Sequence, residues 1–239
     1  MYELNEKLAS RVLEIVDVGL VKGKGKPVPG QLCVEAAVCL AMGLPHSDEP
    51  TCVGSSVRAF KIRLNDSAWS SDKARAQGMR KLAVAQLGSD TIDQKAFRQI
   101  VVEQTIRQIL PIALRAAASR NPKHSERLEA AAVRCEKDGN QAAAKAAQNA
   151  ASEARRAADA SADAYAYASA DADAAADAAA AAAAAAYAAA AAAAAAGAAT
   201  DASTRDRVLA DFAERVVQIL VEMGAPGAQW LDLSPLGAV

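Results

Sequence analysis

Leu4, Leu8, Val12, Ile15 and Val16 recur at three- and four-residue steps through residues 2–20, the spacing of one apolar face on an amphipathic helix. "VKGKGKPVPG" (21–30) interrupts it, because three glycines and two prolines do not continue a helix. "QLCVEAAVCLAMG" (31–43) predicts a short helix stopped by Gly43, with Cys33, Ala36, Ala37 and Leu40 on one face. After the turn-rich "LPHSDEP", Thr51 is the expected cap of a helix to Leu64 that turns Val53, Val57, Phe60 and Leu64 inward.

Ser70 or Ser71 caps the next predicted helix, which ends at Leu87 before Gly88. "TIDQ" (91–94) has the form of a capping box with Thr91 and Gln94 as reciprocal partners. The helix it opens carries Phe97, Ile100, Val101, Ile106, Ile109 and Leu110, and Pro111 should kink it. "RNP" (120–122) ends that run, and another helix holding Leu128, Ala132 and Cys135 closes near Gly139. A final helix begins at a Ser203 or Thr204 cap and buries Leu209, Phe212, Val216, Ile219, Leu220 and Met223. Trp230 anchors an irregular tail, and no segment reads as a strand.

Composition changes at Asn140. Alanine loses no side-chain entropy in a helix, so residues 141–196 predict a rod of about 80–90 Å if unbroken. Asp159, Asp163 and Asp177 fall within about 40° on the helical wheel, leaving a thin acidic stripe on a broad methyl surface. Such a surface suits close packing along another helix, of the same chain or of a second copy. Tyr165, Tyr167 and Tyr187 are the large groups of the tract and mark either its expected contacts or a lip over a ligand. It lacks the regular threonines of an ice-binding face and the periodic glycine of collagen or silk. Alanine is only marginally apolar and Asp171, Asp173, Asp177 and Asp201 flank the run, so no membrane span is expected. The expected fold class is all-α: a multi-helix body over 1–140, the alanine-rich helix over 141–200 packed on it or on a second copy, and a C-terminal helix and tail over 201–239 that pack back on the body.

Charge adds an asymmetry that the net value of −1 hides. Residues 1–140 hold 21 Lys and Arg against 16 Asp and Glu, and residues 141–239 hold 6 against 12. The basic excess is concentrated in 51–120, with 12 against 5. This distribution fits a small anionic ligand or head-to-tail self-association. Arg58, Lys61, Arg63 and Arg75 beside Trp69 form the expected ligand-binding cluster, since cations near an aromatic suit a nucleotide. Lys24 and Lys26 on the glycine loop, with His46, complete it; the loop lacks the GK[ST]-to-helix geometry of a P-loop. Solvated lysine and arginine on two helix faces would give the same pattern. Nucleic acid is not an expected partner, because the chain is near neutral and has no reading helix of recognisable type.

Cysteine chemistry is the competing reading. Cys33 at a helix start would have its thiol pKa lowered by the helix dipole, with Gln31 as oxyanion donor and His46 as base. Its place on the same face as Ala37 and Leu40 favours a small core residue instead. Cys33, Cys39, His46 and Cys52 lack a CxxC pair, so no metal site and no cofactor is expected. With no signal-like apolar start, Glu3, Glu6 and Lys7 standing there, reduced thiols in a cytoplasm are the expectation.

"CVEAAVCLAMGLPHSDEPTCV", "IRLNDSAWSS", "LAVAQLGS" and the ending "GAPGAQWLDL" resemble a group of uncharacterised proteins from bacteria and their phages that carry a Tyr- and Asp-bearing alanine tract. The resemblance covers most of the chain and assigns no activity and no functional residue. It implies a small accessory role, such as countering a host defence. The expectation is therefore a non-enzymatic helical protein that holds a small anionic ligand such as a nucleotide and self-associates through its alanine helix. The alternatives are a scaffold that docks through that helix and a cysteine-dependent hydrolase.

Overall fold

The computed structural model describes residues 3–119, 121–159 and 202–233. The described residues are helical, with no sheet; an isolated antiparallel bridge joins Gly25 and Leu32. The helices are α1 (Glu6–Val18), α2 (Val34–Ala41), α3 (Ser55–Asn65), α4 (Asp72–Ala85), α5 (Gln94–Gln104), α6 (Leu110–Ala118), α7 (Ser125–Asp138), α8 (Gln141–Asp159) and α9 (Ala202–Glu222). They form two compact units, one holding the described residues up to Val101 together with 202–233, the other those from Val102 to Asp159. The division falls inside α5. The change in composition had placed it near 140 instead, but the alanine face of α8 is covered by residues of α6 and α7, so these three helices share one core.

In the first unit α4 is the centre, with α1, α2, α9 and the 3-10 turn Pro226–Trp230 packed on it. Its Ala76, Met79, Leu82, Ala83, Val84 and Ala85 are buried, and the small residues among them let neighbours approach closely. Phe60 of α3 meets Phe212 of α9 edge to face, with ring centroids 4.9 Å apart. The apolar positions read from the sequence in and beside α1, α3 and α9 are buried, apart from Leu4, Leu8 and Met223, which are half-buried. Gly227 explains how the turn docks on the end of α4. Its N–H donates to Leu87 O at 2.7 Å, and a Cβ there would run into the Val84 carbonyl oxygen. Gly227→Ala should therefore cost about 1–3 kcal/mol, the usual range for overpacking, read from the midpoint of urea unfolding.

Several helix ends differ from expectation because partners come from elsewhere in the chain. α3 begins after Gly54, not at Thr51. The Gln94 amide oxygen accepts the Ser56 N–H at 3.1 Å, and Ser89 Oγ accepts the Gly54 N–H at 3.1 Å. That employment takes Gln94 out of the capping box. The Asp93 carboxylate caps α5 instead, accepting from Lys95 and Ala96 N–H at 2.8 and 3.0 Å, and these bonds hold its pKa below the ordinary value. Ser71 does cap α4, its Oγ accepting the Ala74 N–H at 3.0 Å.

Ahead of Pro111 the helix widens into a π segment, Thr105–Ile109, closed by the Leu110 N–H on Thr105 O. Pro111 has no N–H for the turn before it and its ring crowds that turn; the wider turn is the local answer. In the second unit α6, α7 and α8 enclose Leu110, Leu114, Leu128, Ala132 and Cys135. α8 contributes Ala143, Ala147, Ala150 and Ala154, a stripe at four-, three- and four-residue steps. Gly139, at φ 60°, ends α7, and Asn140 caps α8 through its side-chain oxygen on the Ala143 N–H at 2.9 Å. So α8 packs inside its own unit as far as Ala154. The rest of the expected rod, with Asp163, Tyr165, Tyr167, Asp171, Asp173, Asp177 and Tyr187, lies outside the described residues, as does the self-association hung upon it. Among the described residues no helix is long and apolar enough to cross a membrane.

Candidate functional site

α2 reads VEAAVCLA, and nearly all of it is buried, so its one charge goes inside with the rest. Glu35 is 0% exposed and faces Lys61 of α3, also 0% exposed, with 3.2 Å between Oε1 and Nζ. They make a buried ion pair, and no other side chain or backbone group bonds either Glu35 oxygen or Lys61 Nζ. Burial raises the Glu35 pKa against the pull of Lys61, and burial lowers that of Lys61 against the pull of Glu35. Both groups are thus displaced toward their neutral forms.

The glycine-lysine segment folds over this pair as a hairpin. Val21 N–H donates to Leu32 O at 2.9 Å, Lys26 N–H to Gln31 O at 2.6 Å and Cys33 N–H to Lys24 O at 3.3 Å. Gly25, at φ 72°, is required there, since a Cβ would run into the Gln31 carbonyl oxygen. α3 holds the hairpin from below. Asp66 Oδ1 accepts the Gly23 N–H at 2.7 Å, while Asn65 donates to Val21 O at 2.9 Å and accepts the Val34 N–H at 3.3 Å. From the 43–54 loop, His46 Nε2 stands 3.1 Å from Gly25 O; a carbonyl only accepts, so the ring carries its hydrogen there.

Between hairpin, α2, α3 and that loop lies a cleft of about 40 Å³. Glu35, Asp48 and Asp66 line it with Lys24 and Cys33. Ligand pockets for drug-sized molecules run to roughly 300–1,000 Å³, so a whole nucleotide does not fit inside.

The structure brings three of the sequence-predicted residues together: Lys24 and Lys26, both exposed, and His46, half-buried, on the braced hairpin. Arg58 is ion-paired with Glu49 of the same loop at 3.1 Å. Arg63 is exposed in the last turn of α3. The others are corrected. Lys61 is committed to Glu35 in the interior. Trp69 is 7% exposed, its ring against Gly78 and its indole N–H donating to Leu64 O at 2.9 Å, so no face is free for stacking. Arg75 is buried and donates to Leu20 O and Asn65 O, each at 2.8 Å, and to Asp72 at 2.5 Å. Apolar neighbours on α3 and α4 pulled these long side chains inward, where their polar ends met backbone carbonyls or an opposite charge.

Cys33 is also corrected as a low-pKa thiol. It is the N-cap of α2, its sulfur accepting the Ala36 N–H at 3.4 Å, but burial outweighs that bond and pushes its thiol up. Burial likewise pushes Cys39 and Cys52 up to about 11. His46 is engaged with Gly25. Among the described residues no group of three or more His, Cys, Asp or Glu is arranged to hold a metal ion. Sequence reasoning passed over Glu35, Asp48 and Asp66. The available signal was Glu35 itself, a lone charge in an otherwise apolar helix. Compared with protein-family models, with curated proteins and with solved structures, the chain matches none of them.

Proposed function

We propose that this is a non-enzymatic binding protein that takes the anionic group of a small ligand, such as a nucleotide phosphate, on the outer face of the glycine-lysine hairpin. One observation carries the reading. Lys24 and Lys26 are exposed on a backbone fixed by its own cross-bonds and by His46, Asn65 and Asp66. Two cations on a pre-ordered loop lose little conformational entropy when they meet an anion. The rest of a nucleotide would stay outside the small cleft, which makes the contact shallow and salt-sensitive.

Calorimetric titration with ATP, GTP and inorganic phosphate tests this. Binding should weaken with added salt and disappear in Lys24→Ala/Lys26→Ala. Both sites are exposed, so the unfolding free energy should stay within about 0.5 kcal/mol of the parent. An unchanged titration in the double variant would remove the hairpin from the site. The hydrolase reading gains nothing from the geometry, because His46 bonds Gly25 and the Cys33 thiol is held protonated by burial.

A further inference from the structure

We propose that the tip of the glycine-lysine hairpin docks on the surface of an anionic phospholipid bilayer. This rests on the reading that the hairpin lysines take an anion, and adds what carries the anion: phosphate groups set side by side in a headgroup layer. The first observation is a third cation. Lys22 is exposed like Lys24 and Lys26, so lysines alternate along the segment, and among the described residues none of the three side chains is ion-paired. Neighbouring carboxylates are engaged elsewhere, Asp17 with Arg80 at 2.7 Å and Asp66 with the Gly23 N–H at 2.7 Å. A single phosphate uses only part of this charge, whereas an anionic surface meets all of it.

The second observation is apolar. Val28 is 48% exposed and Val18 is 63% exposed. Val28 opens a tight turn, its carbonyl accepting the Gln31 N–H at 2.9 Å, with Pro29 and then Gly30 at φ 81° in the middle, the form of a type II turn. Val18 lies against that turn, since a Cβ on Gly30 would stand 3.0 Å from Val18 Cγ1. Pro27 and Pro29 are exposed on either side of Val28. A bilayer interface accommodates this combination: methyl groups enter below the headgroups while the ammonium groups stay at phosphate level.

Shape separates a lipid surface from a protein partner. Every residue from Lys24 to Pro29 is exposed, so the tip is convex. A folded partner would need a matching pocket to cover it, and the tip offers none of the aromatic anchors that hold protein interfaces. Fluid headgroups close round it without one. The contact is peripheral and weakens with salt.

Sedimentation of the full-length protein with vesicles of equimolar phosphatidylglycerol and phosphatidylcholine tests this, beside the calorimetric titration with ATP and inorganic phosphate. The protein should pellet with these vesicles at low salt and stay in solution with pure phosphatidylcholine. Each lysine should contribute about fivefold, so Lys22→Ala/Lys24→Ala/Lys26→Ala should lower the partition about a hundredfold. Val18→Ser/Val28→Ser should lower it about tenfold. All of these positions are exposed, so both variants should fold as the parent does. ATP binding without vesicle binding would overturn the lipid partner and leave the anion reading standing, while loss of both would remove the hairpin as an anion site. Vesicle binding untouched by the valine changes would also overturn it. So would equally tight, lysine-dependent binding of poly-glutamate, which would make the partner an acidic polypeptide.

Discussion

Lys61→Met alone should destabilise the first unit by about 3–5 kcal/mol, whereas Glu35→Leu/Lys61→Met together should be neutral or stabilising by about 1–4 kcal/mol. The single change leaves the Glu35 carboxylate fully buried with no counter-charge and no hydrogen bond. The double change fills the same interior volume with apolar side chains and removes two desolvated ions. Urea unfolding of the parent, the single and the double variants measures both effects, and a single variant as stable as the parent would contradict the geometry.

The same pair fixes a pH signature. The Glu35 pKa is raised in the folded protein above its ordinary 4.5, so its contribution is fully present below that value and is lost as pH rises through the folded pKa. The Lys61 pKa is lowered below its ordinary 10.5, so its contribution is present above that value and is lost as pH falls through the folded pKa. Between the two the unfolded chain carries both charges in water while the folded chain must bury them. The stability gained by the double variant over the parent should therefore be largest at intermediate pH and shrink toward both ends.

Arg75→Leu should cost about 2–6 kcal/mol, because two buried carbonyls, Leu20 O and Asn65 O, lose their donor at roughly 1–3 kcal/mol each. Arg75 ties the end of α3 and Leu20, two residues past α1, to α4, so the loss should also loosen the hairpin that Asn65 holds. Hydrogen exchange at Val21 and Val34, whose backbone groups bond Asn65, should quicken in the variant beyond the global change. Arg75 is a structural cation, buried away from the outer face of the hairpin, so its removal should weaken anion binding by the folded protein only as far as the hairpin loosens.

The contrast between Arg75 and Lys24 shows where sequence reading stops. Periodicity identified the helices and their buried faces, since burying Leu, Ile, Val and Phe along a stripe is a local property of spacing. Gly139 as a stop and Ser71 as a cap were legible for the same reason, since each acts on residues next to it, whereas α4 ends at Ala85 ahead of the expected Gly88. Gln94 was not, because its amide serves α3 from 38 residues away. Basic residues in 51–120 were countable, but their count did not distinguish Lys61 and Arg75 inside from Arg63 outside. Glu35 was visible as a charge in an apolar helix, while its cleft depends on the hairpin, α3 and the 43–54 loop meeting.

What the sequence by itself determined is the all-helical class, the apolar faces of α1, α3 and α9, and the alanine stripe of α8. All follow from spacing and intrinsic helix preference. The tertiary structure alone decided which charges remain in water. The free energy of a lysine or glutamate depends on the solvent and the opposite charges around it, and those are supplied by segments distant in the chain. That is why Lys24 and Lys26 are left free on a braced loop while Lys61 lies locked against Glu35 beneath them.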